Sequence, residues 1–522
     1  MTYSFWGQAT NGTQGTAEGR TGGYQVDGNG NPVRYFLNVP ADIRTTAREQ
    51  LANISKFINI SFVQVNDRGF AYSTNRNVTQ RGRIRIMADG NGSRDGSSHM
   101  TQRGNSRSGG ETFFRPWPAG TQSLTGVERR EAWTNQGQTL VSSTNYLSEV
   151  VLHELQHSLG IGHGHDSGSQ AEGVDTEHSP ETDNVWNTIQ SYNGPLGWAS
   201  AGREGVATIV ATSMPDDIAA LQSIYGSKNF NHGNTVYTFS RGDLYRSSSN
   251  QQLLDTRIVD ARIANINTID DSGGTDTIDC SGLDSEFAEE GVRVDMSPGG
   301  YIISKNDWLN TLSYTDNNGN ETDKEVTGVP LKGTRLSWRT TLEKCQGTEF
   351  GDDTLIGNNA ANWIAGYGGN DNLNGRRGND TLIGGLGSDQ FFGGDGADFI
   401  YLGGGNGSQD DDRDYVDFSA PSESTRSNPD RVYGFGPNDI FDLNDIDANT
   451  RISGKQTLSF IGTTAFNGIA GQLRTAAASG IGTKGFIHAD LNGDRVADFS
   501  VALTGDSILA TYLTISNFVL TY

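Results

Sequence analysis

The chain has 522 residues, of which 34% are hydrophobic and 69 are glycine. That is too long for one hydrophobic core and too glycine-rich for a helical protein, so roughly two to four domains of turns and short strands are expected. Asp and Glu outnumber Lys and Arg by 62 to 39, a formal charge of −23, which argues against nucleic acid as a partner and suits hard-cation sites built from carboxylate oxygens.

The N-terminal MTYSFWGQATNG has no basic stretch leading into an apolar one, so a conventional secretory signal is not expected. No run of about 18 apolar residues exists, so no membrane span is expected. In residues 40–58, Ile43, Ala47, Leu51, Ile54 and Ile58 recur at helical spacing and predict an amphipathic helix. SFVQV (61–65) and RIRIM (83–87) alternate like strands. Residues 89–112, rich in Gly, Ser, Asn and Arg, read as a long loop. Residues 144–160 place Leu147, Val151, Leu155 and Leu159 on one helical face, with Gly160 as the stop. A further helix is predicted over 214–226, ended by Gly226.

Beyond about residue 228 strand-like pieces alternate with Gly, Asp and Asn turns. From Gly357 the units GNNAANWIA, GYGGNDNLN, GRRGNDTLI, GGLGSDQFF and GGDGADFIY follow without a gap, preceded by a partial unit ending in GDDTLI (351–356). The aspartate position holds Asp353, Asp371, Asp380, Asp389 and Asp398, with Asn362 in one unit. Two residues later stands Leu355, Ile364, Leu373, Leu382, Phe391 or Ile400. Glycines let the turns expose carbonyl oxygens, and each aspartate adds a charged oxygen. Stacked turns then form cages for Ca²⁺ while the apolar residues stack inward, which is a parallel β-roll that folds on binding metal. Asp276, in DSGGTDTIDCSG (271–282), is a candidate for the same role, and DLNGDRVADF (490–499) resembles a calcium loop or a solvated turn. Two cysteines, Cys280 and Cys345, exclude a disulfide scaffold or a Cys-rich zinc module, and leave a single pairing or two buried thiols open.

HELQHSLGIGHGH (153–165) holds four of the eight histidines. His153 and His157, four apart, project from one helical face and can reach one ion. Glu154, beside the first of them, is placed to take a proton from an attacking water and pass it to a leaving amine. Gly160 permits the chain to swing back, which brings in His163 as a third ligand. His165 would point the same way in an extended segment, about 6.5 Å from His163, so only one of the two can serve.

HELQHSLGIGH resembles the metzincin zinc-peptidase signature, whose spacing selects His163. With the glycine-aspartate repeats, the chain resembles the serralysins. DDIAALQSIYG (216–226), PDRVYGFGPNDIFDLNDI (429–446) and GIAGQLR (468–474) are also similar to family segments. The resemblance implies an α+β metzincin catalytic domain, with a twisted sheet and an active-site helix, over residues 1–228. A calcium-binding all-β parallel roll over 229–420 would follow, then a C-terminal β segment over 421–522 carrying the export signal. It implies one catalytic Zn²⁺ on His153, His157 and His163, with Glu154 as base and then acid. Tyr192 would contact the zinc or the oxyanion, and several structural Ca²⁺ would bind the roll. It further implies a secreted, extracellular monomeric endopeptidase acting on protein substrates, exported by type I machinery and open to a protein protease inhibitor. The family's acidic-plus-three-apolar ending appears here as Asn517-Phe518-Val519-Leu520, and Gly164-His165 replaces the usual histidine-proline pair. In NTIQSYN (187–193) the family's methionine position falls on Gln190, whose amide would need partners if buried. The alternative is a non-catalytic, calcium-binding, adhesin-like protein with a decayed peptidase domain.

Overall fold

The computed structural model describes residues 2–5, 23–26, 32–37, 41–64, 84–89, 99–102, 110–114, 143–162, 187–190, 207–210, 212–229, 232–240, 243–247, 263–283, 291–304, 308–315, 321–330, 333–405, 411–478 and 482–520. They fall into two compact units, Met1–Phe230 with Ile258–Asp270 and Leu309–Trp338, and Asn231–Arg257 with Asp271–Trp308 and Arg339–Tyr522. No helix among the described residues is long and apolar enough to cross a membrane.

In the first unit the helix Ala41–Phe57 buries Ala47, Leu51 and Ile54, the stripe its spacing predicts. The strand Ile84–Asp89 pairs in parallel with both Thr2–Phe5 and Gly110–Phe114. Thr2–Phe5 pairs in turn with Val63–Gln64, the short core of the predicted SFVQV strand. Residues 89–112 are not one loop. They contain the strand His99–Gln102 and the start of Gly110–Phe114, paired antiparallel from His99↔Phe113 to Gln102↔Glu111. Pairing with an existing sheet fixes these polar segments as strands although their own periodicity is faint. His99–Gln102 pairs with no other described strand, so it forms an edge.

The helix Ser143–Ser158 packs on Ala41–Phe57 and on both strands of this hairpin. Gly160 closes it at φ 101°, in the left-handed region where glycine is favoured. The helix Pro215–Tyr225 starts with proline in its first turn and ends at Gly226. Ala207–Val210, Ile263–Ile269 and Gly333–Leu336 form a parallel group in the same unit.

The second unit is a β-roll. One sheet runs through Thr277–Asp279, Lys344–Gln346, Trp363–Gly368, Thr381–Leu386, Phe399–Tyr401 and Asp430–Tyr433, all parallel. The other runs through Val292–Asp295, Thr354–Ile356, Asn372–Asn374, Gln390–Phe392, Tyr415–Asp417 and Ile440–Asp442, also parallel. Thr354 pairs with Asn372 and Trp363 with Thr381, so two nine-residue units make one coil. Leu355, Ile364, Leu373, Leu382, Phe391 and Ile400 are all fully buried, as the repeat predicts. Phe499–Thr504 continues the first sheet in parallel, and Thr483–Asp490 and Gln472–Ala476 extend it antiparallel. Cys280 and Cys345 are buried free thiols, and burial pushes both well above the usual thiol range.

Candidate metal centres

Helical spacing brings His153 and His157 edge to face, with ring centroids 4.6 Å apart. His153 Nδ1 lies 2.9 Å from the carbonyl of Ile189, and His157 Nδ1 lies 2.7 Å from that of Ile161. A carbonyl only accepts, so in both rings the proton sits on Nδ1 and Nε2 presents its lone pair. Those two Nε2 atoms are 3.1 Å apart. Two nitrogens on one tetrahedral zinc stand about 3.3 Å apart, given Zn–N near 2.05 Å. Facing lone pairs at this separation repel unless they share a cation, so the pair fits a metal, with each ring oriented by a backbone acceptor. Glu154 is buried on the same helix. His163 and Tyr192 lie outside the described residues.

Beneath this helix runs the turn Asn187–Gln190. Asp217, buried in the first turn of Pro215–Tyr225, holds it: Oδ2 accepts from the Ile189 and Met214 amides at 3.0 and 2.8 Å, and Oδ1 accepts from Thr188 Oγ1 at 2.6 Å. Burial pushes the Asp217 carboxyl up to about 7, outweighing these three donors. Gln190 is buried, and its amide nitrogen finds two acceptors. Nε2 donates to the main-chain oxygen of His153 at 3.1 Å and to Gln156 Oε1 at 3.2 Å. Gln156 in turn donates to Ser213 Oγ at 2.9 Å.

In the roll each repeat aspartate is buried and accepts, through Oδ1, the amide of the residue one coil earlier. One ladder joins Asp353 to Asp371 and Asp371 to Asp389, at 2.7 and 2.8 Å. The other joins Asn362 to Asp380 and Asp380 to Asp398, at 2.6 and 2.8 Å. For Asp380, Asp398 and Asp430 the second oxygen, Oδ2, is buried with no hydrogen-bond partner among the described residues. A Cβ on Gly375 would collide with Asp380 Oδ2 and with the carbonyl of Gly393. One carboxylate oxygen and one main-chain carbonyl thus converge over the glycine, which fits a hard cation. Without a cation, burial pushes Asp380 up to about 8, Asp398 to about 6 and Asp276 to about 6. Among the described residues no three His, Cys, Asp or Glu side chains gather at one point, so main-chain oxygens are needed to complete such a cage.

Asp353 and Asn362 differ from the rest. Asp353 Oδ2 accepts from the Thr348 amide at 2.6 Å and Oδ1 from the Val292 amide at 2.7 Å. Asn362 donates through Nδ2 to the carbonyl of Leu342 at 3.1 Å, and Asn358 donates to the same oxygen at 2.7 Å. Asp353 thus has a protein donor on each oxygen, and Asn362 places a donor where a repeat aspartate has its second oxygen. Asp276 precedes a strand of the same sheet, accepting from the Thr235 amide at 2.7 Å and donating its own amide to Glu343 Oε2 at 2.8 Å.

Three ladder members escaped the repeat. Asp389 donates to Asp414, Asp414 to Asp439 and Asp398 to Asp430, at 2.8, 3.0 and 2.9 Å. Each keeps the local signal, an aspartate two residues before Val416, Phe441 or Val432, all fully buried. The spacing hid them, because 25 or 32 residues separate them from their partners instead of 18. The stretch 490–498 closes on itself, with Asp490 accepting from the amides of Gly493 and Arg495 at 2.6 and 2.8 Å.

The family described as RTX calcium-binding nonapeptide repeat (4 copies) matches residues 348–382 and 375–408. Metalloprotease AprA of Pseudomonas entomophila (strain L48) is 30% identical over 428 residues, covering 79% of this chain and 72% of that protein. Metallopeptidase AprA of Pseudomonas marginalis is 30% identical over 381 residues, 70% of this chain and 63% of its own length. Serralysin C of Dickeya chrysanthemi is 27% identical over 180 residues, 33% of each chain.

Proposed function

The chain belongs to the serralysin-type metalloproteases with calcium-binding nonapeptide repeats, and from that premise we propose that it is a secreted, zinc-dependent endopeptidase. The observation that carries the reading is the pair of imidazole nitrogens 3.1 Å apart, each ring oriented by a carbonyl. Residues 1–228 would form the metzincin catalytic domain, 229–420 the calcium-binding roll, and 421–522 a C-terminal β segment that carries the export signal.

His153, His157 and His163 would hold the zinc, which when bound supplies a Lewis acid that polarises the scissile carbonyl. Glu154 takes the proton of the attacking water and delivers it to the leaving amine. Tyr192 donates a hydrogen bond to the developing oxyanion. A peptide extends along the edge strand His99–Gln102 and bonds through its backbone, so specificity is broad. Asp276, Asp353, Asp371, Asp380, Asp389 and Asp398 belong to the calcium ladders. The partners are protein substrates, type I secretion machinery and a protein protease inhibitor, and the protein works outside the cell as a monomer. The competing reading, a decayed peptidase acting as an adhesin, rested on Gln190. The Gln190 amide nitrogen has two acceptors, which supports the peptidase reading, and casein hydrolysis separates the two.

Casein hydrolysis tests the proposal. Activity should vanish with a zinc-selective chelator at constant calcium and return on adding zinc. A zinc-loaded, calcium-loaded protein that leaves casein intact would refute it.

A further inference from the structure

The turn below the histidine helix touches His153 at two points. Ile189 accepts from the ring at 2.9 Å, and Gln190, the next residue, donates to the main-chain oxygen at 3.1 Å. That oxygen can only accept, which fixes the orientation of the Gln190 amide. The second amide hydrogen then fixes Gln156, with Oε1 towards Gln190 and Nε2 towards Ser213. A chain of directed bonds therefore runs from Ser213 through two buried glutamines to the backbone of the first histidine. It comes at a disadvantage for packing, since Gln190 is 1% exposed and its Oε1 has no hydrogen-bond partner among the described residues. An apolar side chain would fill the same space without that burden, and without any directional hold on the helix.

We propose that Gln190 is a positioning residue for His153. Its bond to the His153 backbone, braced by Gln156 and Ser213, keeps the ring in register with the Ile189 carbonyl that orients it. Metal affinity then depends on a residue that touches no metal. The proposal rests on reading His153 as a zinc ligand.

The test uses the full-length, calcium-loaded protein and measures zinc release to a chromophoric chelator, steady-state kinetics and thermal unfolding. Gln190→Met keeps the volume and removes the donor. Zinc release should quicken about tenfold, kcat should fall with KM unchanged, and the melting temperature should not drop. Zinc release and kcat equal to wild type would overturn the proposal. Gln190→Met combined with Gln156→Met should be no worse than Gln190→Met alone, because both interrupt one network; losses that add would overturn it. If Gln190→Met fails to fold, Gln156→Met removes the brace and leaves the bond to His153. It should quicken release about threefold, and no change there would overturn the proposal. Wild-type protein that binds no zinc would instead sink the zinc reading itself, which separates the two failures.

Discussion

Asp217 shows how a residue remote from the chemistry can set a site. Its carboxylate serves Thr188, Ile189 and Met214, and so fixes the carbonyl that orients His153. Asp217→Ala leaves buried donors without partners and should cost about 3 kcal/mol in unfolding free energy. Asp217→Asn should cost under about 1 kcal/mol, because its oxygen can meet both amides and its NH₂ can donate to Thr188 Oγ1. The pH dependence has a definite sign. A carboxyl raised to about 7 from 3.8 contributes stability that is full below pH 3.8 and lost as pH rises through 7. Melting curves at several pH values should therefore fall less steeply between pH 4 and 8 for Asp217→Asn than for wild type, and an identical slope would contradict the assignment. Local spacing marks the two histidines, and the family resemblance marks Gln190. The sequence says nothing of Asp217, which looks like an ordinary acid in a first turn, or of Gln156 and Ser213, whose roles arise from contacts across 34 to 57 residues.

At the scale of elements, the roll is legible wherever nine-residue units run unbroken, because glycine, aspartate and the inward apolar residue recur in register. It is lost where the connection lengthens, at Asp414, Asp430 and Asp439. The hairpin His99–Gln102 with Gly110–Phe114 is hidden for another reason: pairing with Ile84–Asp89 imposes it on a sequence with little pattern of its own. The ladder yields two predictions. Gly375→Ala drives a Cβ into Asp380 Oδ2 and the Gly393 carbonyl. It should remove at least one calcium per chain, counted by atomic spectrometry, and lower the melting temperature of the roll. Asn362→Asp replaces a donor to the Leu342 carbonyl with a charge. It should cost about 1–3 kcal/mol in unfolding at the lowest calcium that keeps the roll folded, and less at saturating calcium. An equal loss in both conditions would show that the position does not face a cation cage.

Across the whole molecule, the excess of 23 negative charges and the buried carboxylates point the same way. Calcium removal should abolish the far-UV β signal of the second unit and calcium return should restore it, since Asp380, Asp398 and Asp430 each bury an oxygen with no hydrogen-bond donor among the described residues. A roll that keeps its signal in chelator would contradict the calcium account. Family membership and the repeat architecture were readable because they rest on local motifs, HELQHSLGIGH and the glycine-aspartate units. The division into two units was harder to read, because 258–270 and 309–338 return to the first unit from far along the chain.

The central claim is that the paired histidines hold zinc and that Glu154 moves the proton. Zinc content and casein hydrolysis, measured on the same preparations, test it most directly. Glu154→Ala should keep one zinc per chain yet hydrolyse casein roughly a thousandfold more slowly, while His153→Ala should lose both zinc and activity. Hydrolysis by Glu154→Ala at close to the wild-type rate would contradict the account.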